Sequence, residues 1–205
     1  ALDNVFLSSF GAERLKQMTQ ENVGIWRTNP KEDFDLSKGL PFREIASPKM
    51  TLVEFADFRC SHCRHAAPTL HAFAEANPDI QFVFFVFPLD GECNSAITMK
   101  NGISCLLAQS VMCANKEKKG WEAHKWIYDR QEQFATMEET KPLLSTMAKT
   151  IGLNGPAFET CQNAPETREL IQLHAKMGER AKIQGTPTIF VNGQLLPQPT
   201  GVRVA

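Results

Sequence analysis

The run Thr51-Leu52-Val53-Glu54-Phe55-Ala56-Asp57-Phe58 is β-rich and largely apolar, and it leads straight into Cys60-Ser61-His62-Cys63, where a helical pattern begins. A strand of this kind suits the centre of a sheet covered on both faces. From Ser61 to Asn77 the residues Ala66, Ala67, Leu70, Phe73 and Ala74 share one side of a helix. Pro68 is expected to kink that helix rather than end it, because the apolar period continues beyond it. Asn77-Pro78 closes the helix, and Ile80 to Phe87 reads as a second strand, buried on both faces. The order strand, helix, strand puts the cysteines at the C-terminal end of the first strand, where open α/β sheets place their chemistry.

Between Ala96 and Gln184 only helices are predicted, at about 103–115, 121–133, 141–151 (Thr140 as cap, Pro142 in the first turn), 156–163 and 165–184. Thr188-Ile189-Phe190-Val191 returns to strand, and Asn192-Gly193 is a two-residue hairpin signal leading into Gln194-Leu195-Leu196. Residues 1–47 read as an N-terminal appendage to a domain at 48–205. Val5, Phe6, Leu7, Phe10, Leu15, Met18 and Ile25-Trp26 follow a helical spacing, Thr28 to Asp33 ends it, and Phe34-Asp35-Leu36 is a short edge-strand candidate.

At 205 residues and 42% hydrophobic content, the chain can fill a core without disulfides. Its 22 basic and 23 acidic side chains balance, which argues against a nucleic-acid partner. Six cysteines favour an oxidising compartment. No apolar run approaches the roughly 18 to 20 residues that cross a bilayer, and the start lacks a signal-peptide profile. An export signal or anchor is therefore expected to be removed or to lie outside this segment.

Two cysteines separated by two residues at a helix start can close a small disulfide ring with unequal sulfurs. Cys60 sits where unpaired N–H groups and the helix dipole favour a thiolate; Cys63 lies under the first turn. Cys60 is the expected nucleophile and Cys63 the resolving thiol, with His62 further stabilising negative charge on Cys60. The alternative is a zinc or copper module using Cys60, Cys63 and His62 or His65, for which a second ligand pair at compatible spacing is missing. Gly185-Thr186-Pro187-Thr188 places an X-Pro bond just before a strand. A cis bond there would turn the Thr186 backbone toward the sulfurs, where an extended chain could pair with it by strand addition. Glu54 stands in a strand that otherwise reads as buried. It is a candidate for a carboxyl of raised pKa that exchanges a proton with Cys63; the alternative is a solvent-facing edge position.

The other cysteines are structural disulfide candidates. Cys105 and Cys113 lie eight residues apart on one predicted helix, about 12 Å of rise, so they cannot bond to each other. Cys93 then pairs with Cys105 or Cys113 and Cys161 with the other, Cys93–Cys105 being preferred because a loop cysteine can fold back onto the start of the next helix. Free, buried thiols at Cys113 and Cys161 are the competing reading.

Val53-Glu54-Phe55, Phe58-Arg59-Cys60-Ser61-His62-Cys63, the helical insertion and Gly185-Thr186-Pro187-Thr188 together resemble the DsbA-like branch of the thioredoxin superfamily, over roughly Lys49 to Leu196. The resemblance implies a thioredoxin-like α/β fold with an all-helical insertion at about 96–184, between the second core strand and the cis-proline strand. It implies an exposed nucleophile at Cys60, substrate contact at Thr186 beside Pro187 and at Ser61, a buried acid at Glu54, and no cofactor beyond the redox-active disulfide. Phe87-Pro88-Leu89-Asp90-Gly91-Glu92-Cys93-Asn94, with Cys105 and Cys113-Ala114, further resembles the thioredoxin-like domains fused to bacterial homologues of vitamin K epoxide reductase. That likeness implies a periplasmic or extracytoplasmic oxidant of reduced exported proteins. It would be reoxidised by a membrane quinone-linked partner of the vitamin K epoxide reductase or DsbB type, on the same chain or a separate one. A disulfide isomerase or reductase of the same fold is the nearest rival. Two departures stand out: Ser61 where a proline is common, and an end soon after Leu196 where a last helix is usual.

Overall fold

A computed structural model describes residues 16–197. Helix α1 (16–28) ends at the expected polar stretch; Val5, Phe6, Leu7, Phe10 and Leu15 lie outside the described residues. The remaining elements are β1 (Leu40–Pro41), β2 (Met50–Ala56), α2 (Ser61–Ala76), β3 (Ile80–Val86), α3 (Ile103–Lys116), α4 (Gly120–Asp129), α5 (Met137–Thr150), α6 (Gly155–Asn163), α7 (Pro165–Arg180), β4 (Thr188–Val191) and β5 (Gln194–Leu195). The strands form one mixed sheet in the order β1-β3-β2-β4-β5. Strands β2 and β3 run parallel, with α2 as the crossover, and every other neighbouring pair is antiparallel. This is the thioredoxin-like arrangement with α3 to α7 inserted before β4.

Strand alternation sorts the core into two faces. Val53 and Phe55 of β2, Val83 and Phe85 of β3 and Phe190 of β4 pack with Phe34, Phe87 and Met177 of α7. At Gly178 α7 approaches the sheet so closely that a Cβ would stand 2.5 Å from the Phe87 ring. Ala56 and Phe84, on the opposite face, join Phe58, Cys63 and most of α3, α4 and α5, while Leu52 and Phe82 pack against Ala74 of α2. Glu54 shares the parity of Leu52 and Ala56, so it points to the side that α2 covers.

Several expected boundaries move for local reasons. Phe34-Asp35-Leu36 is not the edge strand: the Asp35 carboxylate accepts from the Ser37 N–H and hydroxyl, winding a 3-10 turn at Leu36–Lys38, while Phe34 turns into the core. The edge is β1, where Pro41 can sit because an edge strand needs no N–H on its outer side. Residues 34–41, grouped with the appendage by the sequence, thus belong to the sheet and its core. Helix α5 starts four residues earlier than expected, because Thr136 and Glu139 form a reciprocal capping box; Thr140 is buried and donates to the Thr136 carbonyl. A separate turn at Gln131–Gln133 follows α4, and α7 stops at Arg180. The Asn192-Gly193 turn has φ of 50° and 82°, the left-handed pair that a tight hairpin requires. Around it, the Trp26 indole of α1 donates to the Val191 carbonyl and Asn29 donates to that of Leu195.

Disulfides join Cys93 to Cys105 and Cys113 to Cys161, so the latter two are not free thiols. The second bond ties α3 to α6 across 48 residues. Replacing Cys113 and Cys161 together by alanine is expected to cost about 2–4 kcal/mol of unfolding free energy in denaturant titrations. His124 lies fully buried among the rings of Phe58, His71, Phe84, Trp121 and Tyr128, and among the described residues neither ring nitrogen has a hydrogen-bond partner. Burial pushes its imidazole well below its ordinary value, and the neighbouring His71 adds to the effect. The unfolded chain therefore takes up this proton first, and the folded state loses stability as pH falls below about 6.5, at about 1.4 kcal/mol per pH unit. His124→Phe should lack that slope, so its unfolding free energy should gain on the wild type as the buffer is taken from about pH 6.5 to 5; a constant difference would contradict the assignment.

Candidate active site

Strand β2 delivers the chain to a tight turn at Asp57-Phe58-Arg59, and helix α2 starts directly after it. Cys60 is the N-cap, in extended conformation, with no side chain capping the helix. The turn is held from several sides. The Cys60 N–H donates to the Asp57 carbonyl at 3.2 Å, and the Gln131 amide donates to the Phe58 and Cys60 carbonyls at 2.9 Å each. The Asp57 carboxylate accepts from the backbone N–H of Arg59 at 2.8 Å and of Leu89 at 3.1 Å. Tyr128 donates its hydroxyl to the Asp57 carbonyl at 3.3 Å.

The two sulfurs differ as the helix start dictates. Cys60 and Cys63 are both free thiols; Cys60 is partly exposed and Cys63 is fully buried. The Cys63 thiol donates toward Cys60, and with the Thr186 side chain and the N–H groups of Cys63 and His62 it outweighs the cost of desolvation, bringing Cys60 down to about 5. Burial first, then the donation to Cys60 and the nearby negative charge, push Cys63 far above the ordinary thiol range. Burial likewise lifts Glu54 to about 8, with the Cys60 charge adding to it. Glu54 is therefore inward-facing rather than at a solvent edge. Asp57 is also raised, chiefly by burial, although hydrogen bonds from Ser104, Leu89 and Arg59 oppose the shift.

Opposite the dithiol, the Thr186–Pro187 bond is cis. The Cys60 Sγ lies 3.2 Å from the Thr186 carbonyl oxygen, which accepts the S–H of the thiol. The Thr186 hydroxyl is buried with no hydrogen-bond partner among the described residues, and a hydroxyl can donate to the thiolate form of Cys60.

The structure brings Cys60, Cys63, Glu54, Thr186 and Pro187 together. Ser61 is exposed in the first turn of α2. His62 is exposed, and what it turns toward Cys60 is its backbone N–H, where the sequence pointed to the imidazole. Among the described residues no group of three or more His, Cys, Asp or Glu is placed to hold a metal ion, so Cys60, His62 and Cys63 do not form one. Sequence reasoning passed over Asp57, Ser104, Tyr128 and Gln131. Asp57, an acid in an apolar strand three residues before Cys60, carried the same signal as Glu54; the other three lie on distant helical segments whose faces only the fold orients.

Residues 51–202 match the model of the DSBA-like thioredoxin domain. The crystal structure of oxidised BdbD from Bacillus subtilis superposes with a TM-score of 0.66 at 19% identity, over 83% of this chain and 90% of that one. Among curated proteins, the probable disulfide bond formation protein D of Bacillus anthracis is 24% identical over 150 residues, covering 70% of this chain and 65% of that protein. The Na(+)/H(+) antiporter NhaA 3 of Salinispora tropica is 23% identical over 145 residues, 71% of this chain but only 20% of the antiporter. The chain thus spans from a fifth to about two thirds of these two relatives. The asymmetric dithiol at a helix start, facing a cis proline, lies within the stretch that the family model covers. This chain belongs to the DSBA-like thioredoxin domain family.

Proposed function

We propose that the chain is an oxidant that passes its Cys60–Cys63 disulfide to reduced, exported proteins in an extracytoplasmic compartment. The observation that carries this reading is the Cys60 thiol brought down to about 5. A thiolate so favoured is a good leaving group, and stabilising the reduced form makes the disulfide a stronger oxidant.

In the proposed cycle a substrate thiolate attacks Cys60 Sγ, the more exposed sulfur, and Cys63 leaves as a thiolate. Buried as it is, Cys63 cannot keep that charge. Glu54, protonated below about pH 8 and in the same buried region, supplies the proton. A second substrate thiolate then attacks the substrate sulfur of the mixed disulfide, Cys60 departs as the thiolate, and two electrons have moved from substrate to enzyme. Thr186 and the cis Pro187 offer backbone for an extended substrate to pair with, and Ser61 borders that approach. Reoxidation returns the electrons to an acceptor disulfide, proposed to belong to a quinone-linked membrane partner of the vitamin K epoxide reductase or DsbB type. The residues ahead of Phe34 would then be the connecting segment to such a partner, and the catalytic unit would run from Phe34 on, since Phe34 and β1 already belong to the sheet and its core. Two further disulfides in the fold agree with an oxidising compartment.

The alkylation rate of reduced protein should titrate with a midpoint near 5. Cys63→Ala should raise that midpoint, since the largest favourable contact is the Cys63 thiol, and the Cys60–Cys63 reduction potential should lie well above thioredoxin's value of about −270 mV. An ordinary thiol midpoint, or a potential at thioredoxin's, would make the chain a reductase instead. Glu54→Gln is expected to slow oxidation of a dithiol peptide by about a hundredfold at neutral pH while leaving the Cys60 alkylation midpoint in place. Stopped-flow oxidation kinetics measure this, and an unchanged rate would remove Glu54 from the proton path.

A further inference from the structure

A second disulfide lines a cavity of its own. Cys93 and Cys105 form part of the wall of an opening of about 410 Å³, together with Gln109, Met137, Lys141 and Arg168. Neither cysteine of the active dithiol borders it. Cys105 is the third residue of α3, in the turn whose N–H groups lack intrahelical acceptors; among the described residues only that of Ile103 is capped by a side chain, Asn101 at 3.0 Å. Gln109, one turn along the same face, is nine-tenths buried, and among the described residues its side-chain amide has no hydrogen-bond partner although it borders the cavity. Lys141 and Arg168 form no ion pair among the described residues, and Glu92 is the one acid in the lining.

An unpartnered buried amide, two unpaired cations and a helix start converge on a bond that thiols can break. We propose that Cys93–Cys105 is a second exchangeable disulfide, reduced in this cavity by a small thiol that carries carboxylate groups. The carboxylates meet Lys141 and Arg168, and Gln109 provides donors and an acceptor to the ligand's polar backbone. The thiolate attacks Sγ of Cys93, forming a mixed disulfide, and Cys105 leaves as a thiolate that the α3 start stabilises. A second molecule of the thiol attacks the ligand sulfur, so that one disulfide of the small thiol is released, and Cys93 and Cys105 end with two electrons and two protons. Both sulfurs lie within 3.9 Å of the Asp90 carbonyl, a ready acceptor for the new S–H groups.

The test uses the full chain with Cys60→Ser and Cys63→Ser, so that the outcome does not depend on the function proposed for that pair. Oxidised protein is incubated with reduced glutathione or with the cationic thiol cysteamine at matched thiolate concentration. Newly freed thiols are alkylated and mapped by mass spectrometry. Cys93 and Cys105 should be labelled at least tenfold faster than Cys113 and Cys161, and glutathione should outpace cysteamine at this bond only. Arg168→Ala should remove the preference for glutathione while leaving the cysteamine rate within twofold. Equal labelling of the two disulfides, or equal rates with the two thiols, overturns the proposal.

Discussion

The structure turns on a single act of charge placement: an anionic sulfur at the open end of α2, with a buried thiol beneath it as its strongest donor. Cys63 can play that part only because it is fully enclosed, so that its own ionisation is suppressed and its S–H stays available. The cost of enclosing Cys63 is thus what makes Cys60 acidic. Glu54 obeys the same logic from below, where burial keeps a carboxyl protonated at neutral pH.

An arrangement of this kind must be held still, and the helical insertion does much of the holding. Gln131, just past α4, grips two carbonyls of the active turn, Tyr128 of α4 grips a third, and Ser104 of α3 and Leu89 after β3 bind the Asp57 carboxylate. The insertion therefore holds the active turn in place. It supplies the hydrogen bonds that a tight turn between strand and helix cannot make for itself, while the sheet supplies β2 and β4 as neighbours and so brings the cis proline opposite the cysteines. The loop that starts at Leu89, whose N–H binds the Asp57 carboxylate, also carries Cys93, so one segment runs from the active turn to the wall of the cavity beside Cys93 and Cys105.

Much of this was legible in the sequence, for identifiable reasons. Strand β4 and the Asn192-Gly193 hairpin were readable because turn chemistry is local. Helix α2 was readable because two cysteines and an apolar period announce it, and the burial of Cys63 because the second cysteine of such a motif lies under the first turn. The failures were equally local in origin. Asp35 competes for the backbone through its own side chain and so replaced a strand by a 3-10 turn, and Thr136 with Glu139 made a better cap than Thr140. His62 was assigned a role for its imidazole when the helix start needs its N–H.

From the chain alone came the α/β class, the family, the unequal cysteine pair at the start of α2 and the preferred Cys93–Cys105 bond, since each is written in spacing, periodicity or motif over short stretches. Tertiary structure decided the rest: the Cys113–Cys161 bond, the inward face of Glu54, the contact of the Thr186 carbonyl with Cys60, and the grip of Tyr128, Gln131 and Ser104 on the active turn. These depend on which faces of remote elements meet, and a periodicity that marks one face of a helix as buried does not say what it is buried against.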